Sequence, residues 1–497
     1  MLQQILLNGV LTGVAVLVGL VFYFLNAKLP EVSIQNAWKT SAVLYAIAQV
    51  GFLINIQFPA KHSFDEFHYV PSAKQFIDLK ENQNWEHPPL GKEIMAVGIA
   101  VFGDTPLGWR FFSTVFAGLT LVGMYLCGLA LFGSQTYALQ VAGLTLVNHL
   151  LYVQARIGML DTFMMAFLSF ALAAFFAIWS RKREVGQAWT LKLLGFAGVM
   201  FGLATATKWF AVVPWFFCGG LILMAKLFSS WGVSFTPPAS TKGPRKGKGK
   251  SKSVAPDTGA ETPDAGSPDE EWYAPGLLAD LRWSHLIICL GVLPLVAYFA
   301  CFLPYLFVKR DPAYTLWDLW LMQPRMYDGQ LRVVNSHPYM STWGGWPIML
   351  RPIWYAFEKE GDKDQFVRGV FLLGNPAIMW AGLAAIAYAV WRWLKTRSRQ
   401  AFLIASFWAV FYLCWGLIPR KIAFYYYYYP AGMVLSFAMV YVFIQLDRTA
   451  NEWLGMVKWA FFSTSIALFV YFFPILAALQ IKTDTFRKWM WAGVRWI

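Results

Sequence analysis

Twelve apolar runs, most of them close to the roughly 20 helical residues that cross a bilayer core about 30 Å thick, constrain this chain more than any other feature. They lie near residues 4–26, 40–57, 108–132, 136–153, 159–179, 191–206, 209–228, 284–308, 369–393, 402–418, 424–445 and 458–480. Inside hydrocarbon every backbone amide and carbonyl must pair within the protein, which leaves helices for segments of this length. The expected fold class is therefore all-α, a polytopic membrane protein of about twelve spanning helices. Charged residues make up 14% of the chain and hydrophobic ones 58%, where a soluble domain carries about 25% charge. The 4–26 run lacks the basic start and small-residue cleavage site of a signal peptide, so it reads as an extra helix. The five cysteines all fall inside apolar runs and read as core residues, not as a disulfide framework.

Orientation follows from short basic clusters, because Lys and Arg near helix ends are retained on the cytoplasmic side. Under a twelve-helix count Arg181-Lys182-Arg183, Lys242 to Lys252 and Arg392 to Arg399 share one face. That face is expected to be cytoplasmic, with both termini outside. The chain then divides into an extra helix and connector (1–39), a core with a catalytic first outer loop (40–230), a disordered cytoplasmic loop (231–282) and a C-terminal helical half (283–497). The 231–282 stretch is rich in Pro, Gly, Ser and Lys and then in Asp and Glu, too poor in apolar groups to offset the entropy of ordering. Its GKGKS end misses a phosphate-cradling loop, since Pro244 stands where the first Gly is required. The net charge of +14 does not point to nucleic acid, because the one dense basic run is short and followed by acids.

Two further hydrophilic stretches, 58–107 and 309–368, lie on the opposite face and are rich in Trp, Tyr, His and Pro. They are expected to carry short amphipathic helices and the chemistry. Asp65 and Glu66 are adjacent there, and adjacent side chains diverge, so they suit two tasks: a general base and a substrate-positioning group. An ordinary solvated loop is the plain alternative. Glu86, His87, Lys92 and Arg110 follow around paired prolines; the two cations could meet a phosphate-bearing lipid or simply snorkel at helix ends. Arg156 and Asp161 flank the end of the fifth run, and ionisable groups beside hydrocarbon suggest a partner or a site. Lys208 and the Arg420-Lys421 pair add cations at predicted helix ends. The five tyrosines Tyr425 to Tyr429 read mainly as an interfacial aromatic belt.

Several ordered motifs carry a family resemblance: DEFHY (65–69), HPPLGK (87–92), FGDTPLGWR (102–110), RIGMLD (156–161), GLATATKW (202–209), RPIW (351–354), GNPAIMW (374–380) and the segment Arg420 to Pro430. Together, across about residues 60 to 445, the chain resembles the protein O-mannosyltransferases, polytopic GT-C glycosyltransferases that use a polyprenyl-phosphate-linked sugar. The 309–368 stretch is too short for the β-trefoil MIR domain of eukaryotic members, so the resemblance is to bacterial ones. Asn148 and Ala155 stand where an acid and a Ser are expected in relatives.

The resemblance implies that Asp65 is the catalytic base toward a Ser or Thr hydroxyl of a protein acceptor, in one inverting displacement, with Glu66 positioning that acceptor. Arg110 is the first choice for binding the donor phosphate, followed by Lys208 and Arg420. Glu86, His87, Arg156 and Asp161 shape the site. No cofactor and no metal site are firmly implied; a divalent cation among Asp65, Glu86, His87 and Asp161 stays an open alternative whose geometry the spacing does not fix. The implied partners are the lipid-linked sugar, the protein acceptor and the bilayer, at the extracytoplasmic face of a bacterial plasma membrane. A GT-C enzyme moving another sugar, such as arabinose or aminoarabinose, to a lipid or glycan is the nearest rival. A transporter is a remote one, expected to show internal repeats and mid-membrane polar segments.

Overall fold

The computed structural model describes residues 32–180, 187–231, 281–332, 337–362, 364–449 and 451–486. The 4–26 run, the clusters at 181–183 and 242–252 and nearly all of the 231–282 loop lie outside the described residues.

The described chain is mostly helical. Eight helical stretches are long and apolar enough to cross a membrane. In our labels these are α4 (Pro106–Phe132), α7 (Leu160–Trp179), α8 (Gln187–Thr207), α9 (Trp209–Phe228), α10 (Trp283–Phe307), α12 (Pro376–Thr396), α14 (Tyr425–Asp447) and α15 (Glu452–Leu476). Three further runs become shorter helices: α1 (Trp38–Leu53), the pair α5 (Gln135–Leu146) and α6 (His149–Ala155), and α13 (Arg399–Leu413). The α5/α6 break falls at Asn148, whose side chain accepts from the Leu150 amide at 3.1 Å and caps α6. Asn148 therefore has a local structural duty inside an apolar run.

At the centre, α7 is buried along nearly its whole length and lies against α4. Gly123 of α4 sits so close to Ser169 of α7 that a Cβ there would overlap the serine side chain. Small residues let membrane helices approach in this way, where no hydrophobic force drives them together.

The apolar run at 369–393 does not begin as a helix. Residues Phe366–Leu372 form strand β2, antiparallel to β1 (Ile353–Glu360), with Ile353 opposite Leu372 and Glu360 opposite Phe366. The short β3 (Ile481–Lys482) pairs with the far side of β2. A short buried apolar strand has no periodicity that separates it from a helix. The helix α12 starts only after Asn375, whose side chain accepts from the Ala377 amide at 3.2 Å, with Pro376 in the first turn.

Three amphipathic helices gather at one end of the bundle: α2 (Glu66–Ile77), α3 (Leu90–Phe102) and α11 (Leu316–Arg332). The Lys309 amide donates to the Leu79 carbonyl at 2.7 Å, and Gln330 Nε2 donates to the Glu86 carbonyl at 2.9 Å. These bonds join the two hydrophilic stretches, 58–107 and 309–368, into one surface.

The tyrosine run is corrected by the structure. Tyr425 to Tyr429 are all buried, so they are interior groups and not a lipid-facing belt. Tyr425–Tyr428 form a 3-10 turn, in which side chains three apart eclipse; the Tyr425 and Tyr428 rings lie at 6.5 Å with 21° between planes.

Candidate active site

Asp65 ends the loop that descends from α1, immediately before α2. Phe64 ahead of it has φ +52°, a left-handed conformation uncommon outside glycine and costly for a bulky residue. The conformation is held by packing: the Phe64 ring meets Tyr355 at 5.0 Å, His337 at 5.2 Å and Phe424 at 5.5 Å. Asp65 Oδ2 then accepts hydrogen bonds from the Tyr69 hydroxyl at 3.1 Å and the Tyr426 hydroxyl at 3.2 Å. Burial pushes its carboxyl above the ordinary range, opposed by the Lys208 ammonium and reinforced by Asp161.

Asp161 and Lys208 form a buried pair beside it. Lys208 Nζ lies 2.8 and 2.7 Å from the two Asp161 oxygens, and faces the rings of Tyr426 and Tyr427 at 4.9 and 5.0 Å. Tyr427 stacks on Trp415 at 4.4 Å, and Trp415 on Phe210 at 5.2 Å. The Arg420 guanidinium lies 5.1 Å from the Tyr427 ring. Of these, Lys208, Phe210, Trp415 and Arg420 border a cavity of about 180 Å³, lined also by Glu86, His87, Trp209 and Gln330. His87 is held neutral by burial and by the nearby Lys208, Lys92 and Arg420 charges, which push its pKa well below the usual value. Among the described residues no three His, Cys, Asp or Glu side chains converge as a metal site.

Two expected site residues have other work. Arg110 is fully buried; its Nε and Nη2 each reach Glu66 at 2.7 Å, and its Nη groups hold the carbonyls of Ile56, Pro59 and Lys61. Glu66, also fully buried, accepts in addition from the Ser63 and Gly158 amides at 2.9 and 2.7 Å. A carboxylate with four donors and a guanidinium with carboxylate and carbonyl partners have little left for a ligand. Arg110 is therefore corrected from phosphate contact to positioning residue, and Glu66 from acceptor contact to the anchor of the loop. Gly158 of the RIGMLD motif belongs to this arrangement: a Cβ there would come within 3.0 Å of Met95 and 3.3 Å of Glu66.

Arg156 works likewise, its Nη2 holding the carbonyls of Asn55 and Phe58 at 2.7 and 3.0 Å. Together the two arginines take five carbonyls of the loop 55–61, which carries irregular backbone that must otherwise find partners. Lys92 is buried too and donates to the carbonyl of His87 at 2.8 Å and to that of Asn84; burial pushes it down to about 7. It does not meet the lipid phosphate suggested by sequence.

Asp65, Asp161, Lys208, Arg420, Glu86 and His87 are thus gathered around one site, whereas Glu66, Arg110 and Arg156 lie behind it as its support. Tyr69 and Tyr426, the donors to Asp65, went unrecognised in sequence. The spacing of Tyr69 four residues after Asp65 at a helix start was the available signal.

A raised Asp65 pKa means that the carboxylate forms only at higher pH, so the acid limb of any activity needing it as base should lie above the ordinary value of about 4. Tyr69→Phe removes a hydrogen bond that favours the charged form and should move that limb further up in a pH profile of kcat/KM.

Comparison with known proteins agrees on the architecture. Residues 86–233 match the family described as dolichyl-phosphate-mannose-protein mannosyltransferase, and 315–495 the C-terminal four-transmembrane region of protein O-mannosyltransferase. A polyprenol-phosphate-mannose-protein mannosyltransferase of Mycobacterium tuberculosis is 25% identical over 86% of this chain and 85% of its own. One from Corynebacterium glutamicum is 24% identical, covering 91% and 92%. The S. cerevisiae Pmt1-Pmt2 complex bound to the sugar donor superposes with a TM-score of 0.69 at 13% identity, over 96% of this chain and 94% of that one. ArnT from Cupriavidus metallidurans bound to undecaprenyl phosphate gives 0.51 at 15% identity, over 83% and 61%. The fold is that of a GT-C membrane glycosyltransferase. Within that class the chain belongs to the protein O-mannosyltransferase family, and it is an integral membrane protein.

Proposed function

We propose that this protein transfers mannose from a polyprenyl-phosphate carrier to Ser or Thr hydroxyls of proteins at the extracytoplasmic face of a bacterial plasma membrane. The observation that carries the reading is a carboxylate, Asp65, held by two tyrosines beside a cavity with Lys208 and Arg420 on its wall. Its relatives' names supply the mannose, the carrier and the protein acceptor.

In the reaction, an Asp65 carboxylate oxygen takes the proton of the acceptor hydroxyl. The acceptor oxygen bonds to the anomeric carbon, and the bond from that carbon to the phosphate oxygen breaks with its electron pair staying on the phosphate. A single displacement inverts the centre. A phosphate leaving group needs its growing charge stabilised more than it needs an acid. Lys208 is already paired with Asp161, whereas Arg420 forms no ion pair with a carboxylate among the described residues. Arg420 is therefore the main contact for the leaving phosphate, with Lys208 second and Arg110 acting at a distance through Glu66. Both cations lie against the face of Tyr427, which stacks on Trp415 and through it on Phe210, so the ring positions them at the cavity wall.

Arg420→Ala should lower kcat by about 10²–10³, as removal of one preorganised transition-state donor does, with peptide KM little changed. Unchanged turnover would remove Arg420 from the phosphate. Purified enzyme offered mannosyl, arabinosyl and aminoarabinosyl polyprenyl phosphates, with peptide and lipid acceptors, should make only mannosylated peptide. Transfer of another sugar to lipid would favour the rival GT-C reading.

A further inference from the structure

Asp65 does not itself line the cavity; its link to the cavity wall runs through Tyr426, whose hydroxyl bonds Asp65 and whose ring faces Lys208. On the other side the neighbours reached through Phe64 are His337 and Phe424, neither of which lines the cavity. An inverting displacement brings the acceptor in opposite to the leaving phosphate, so the acceptor must approach from this second side.

His337 is oriented there by its own backbone. Its Nδ1 accepts from the Tyr339 amide at 3.1 Å, and an amide can only donate, so the ring proton sits on Nε2. The ring is wedged edge-on between Phe64 at 5.2 Å and Phe424 at 5.3 Å. The Ser341 amide bonds the Ala423 carbonyl at 2.8 Å, tying this segment to the one that carries Arg420 and Tyr426. Burial keeps the imidazole neutral, while the Asp65 charge acts on it from nearby. Met340, whose amide donates to the His337 carbonyl, is 45% exposed.

We infer that His337 is an acceptor-binding residue, its Nε2–H donating to a backbone carbonyl of the incoming polypeptide so that a Ser or Thr hydroxyl is set against Asp65. A donor to main chain suits an enzyme whose acceptors share a hydroxyl and little else, and the exposed Met340 beside it offers apolar contact to a flanking side chain. The inference rests on the function proposed above.

The test is steady-state transfer from mannosyl-phosphoryl-polyprenol to a Ser/Thr-rich peptide by wild type, His337→Phe and His337→Asn. Phe keeps a ring against Phe64 but has no donor; Asn keeps a donor. His337→Phe should raise peptide KM tenfold or more with donor KM unchanged, and His337→Asn should recover most of the loss. An unchanged peptide KM in His337→Phe, an equal rise in both KM values, or no rescue by Asn would overturn it. On wild-type enzyme a thioamide, a weaker acceptor, should raise KM at one peptide position; a flat response across positions would overturn it too. If the wild type transfers nothing to peptide, the proposed function itself falls. If it transfers normally and His337→Phe matches it, only this inference does.

Discussion

Asp65→Asn should lower kcat for mannosyl transfer by about 10²–10⁴, the usual worth of a positioned general base, while the protein folds and melts as the wild type. Asn has nearly the shape of Asp, and its carbonyl oxygen can still accept from the Tyr69 and Tyr426 hydroxyls that hold Asp65. What it cannot do is take a proton. The expected pattern is a fall in kcat with donor and peptide KM within a few-fold, because the variant removes an interaction made only in the transition state. Wild-type turnover in a folded Asp65→Asn protein would mean that the base lies elsewhere. The neighbouring candidates are poor ones: Glu66 is occupied by four donors, and Asp161 is closed on Lys208.

Glu66→Ala is expected to fail differently. It leaves the Arg110 guanidinium fully buried without a counter-charge, which costs about 3–5 kcal/mol, a large share of a typical folding free energy of about 5–15 kcal/mol. The measurement is the yield and melting temperature of purified protein in detergent, and a large drop in both is expected. Replacing both partners, Glu66→Leu with Arg110→Met, should recover part of the melting temperature, since it removes the stranded charge. Activity should not return, because the carbonyls of 56–61 lose their donor and Asp65 its fixed approach. A Glu66→Ala protein of normal stability with only a raised peptide KM would restore the acceptor-positioning role that the sequence suggests.

Glu66 and Arg110 also mark where sequence reading reaches its end. The spans were legible because length and apolarity are themselves the physical requirement for crossing a bilayer, and among the described residues eight of eleven runs are long helices. The acids and cations beside apolar runs also marked the two hydrophilic stretches that the structure joins into one surface. Asp65, Asp161, Lys208 and Arg420 come together although each belongs to a separate segment of the chain. Burial was not legible. Asp65 and Glu66 are adjacent, yet one turns to the Tyr69 and Tyr426 hydroxyls and the other into a cage of donors, and only the path of the 55–61 loop decides which. The same holds for the tyrosines: a belt and a buried stack use the same residues, and the 3-10 turn at Tyr425–Tyr428 sends them inward. Strand β2 hid in an apolar run because a buried strand and a buried helix share one composition. His337 carried no signal of its own, since its orientation comes from the Tyr339 amide and from two rings far off in sequence, Phe64 and Phe424.

The central claim is that a base at Asp65 and a cation-lined cavity move a sugar from lipid phosphate to a protein hydroxyl with inversion. Mass spectrometry and anomeric analysis of the product from mannosyl-phosphoryl-polyprenol and a Ser/Thr-rich peptide test it most directly. A single hexose on Ser or Thr, of anomeric configuration opposite to the donor, formed by wild type and lost in Asp65→Asn, is the predicted result. Hexose with retained configuration, or equal product from Asp65→Asn, would contradict it.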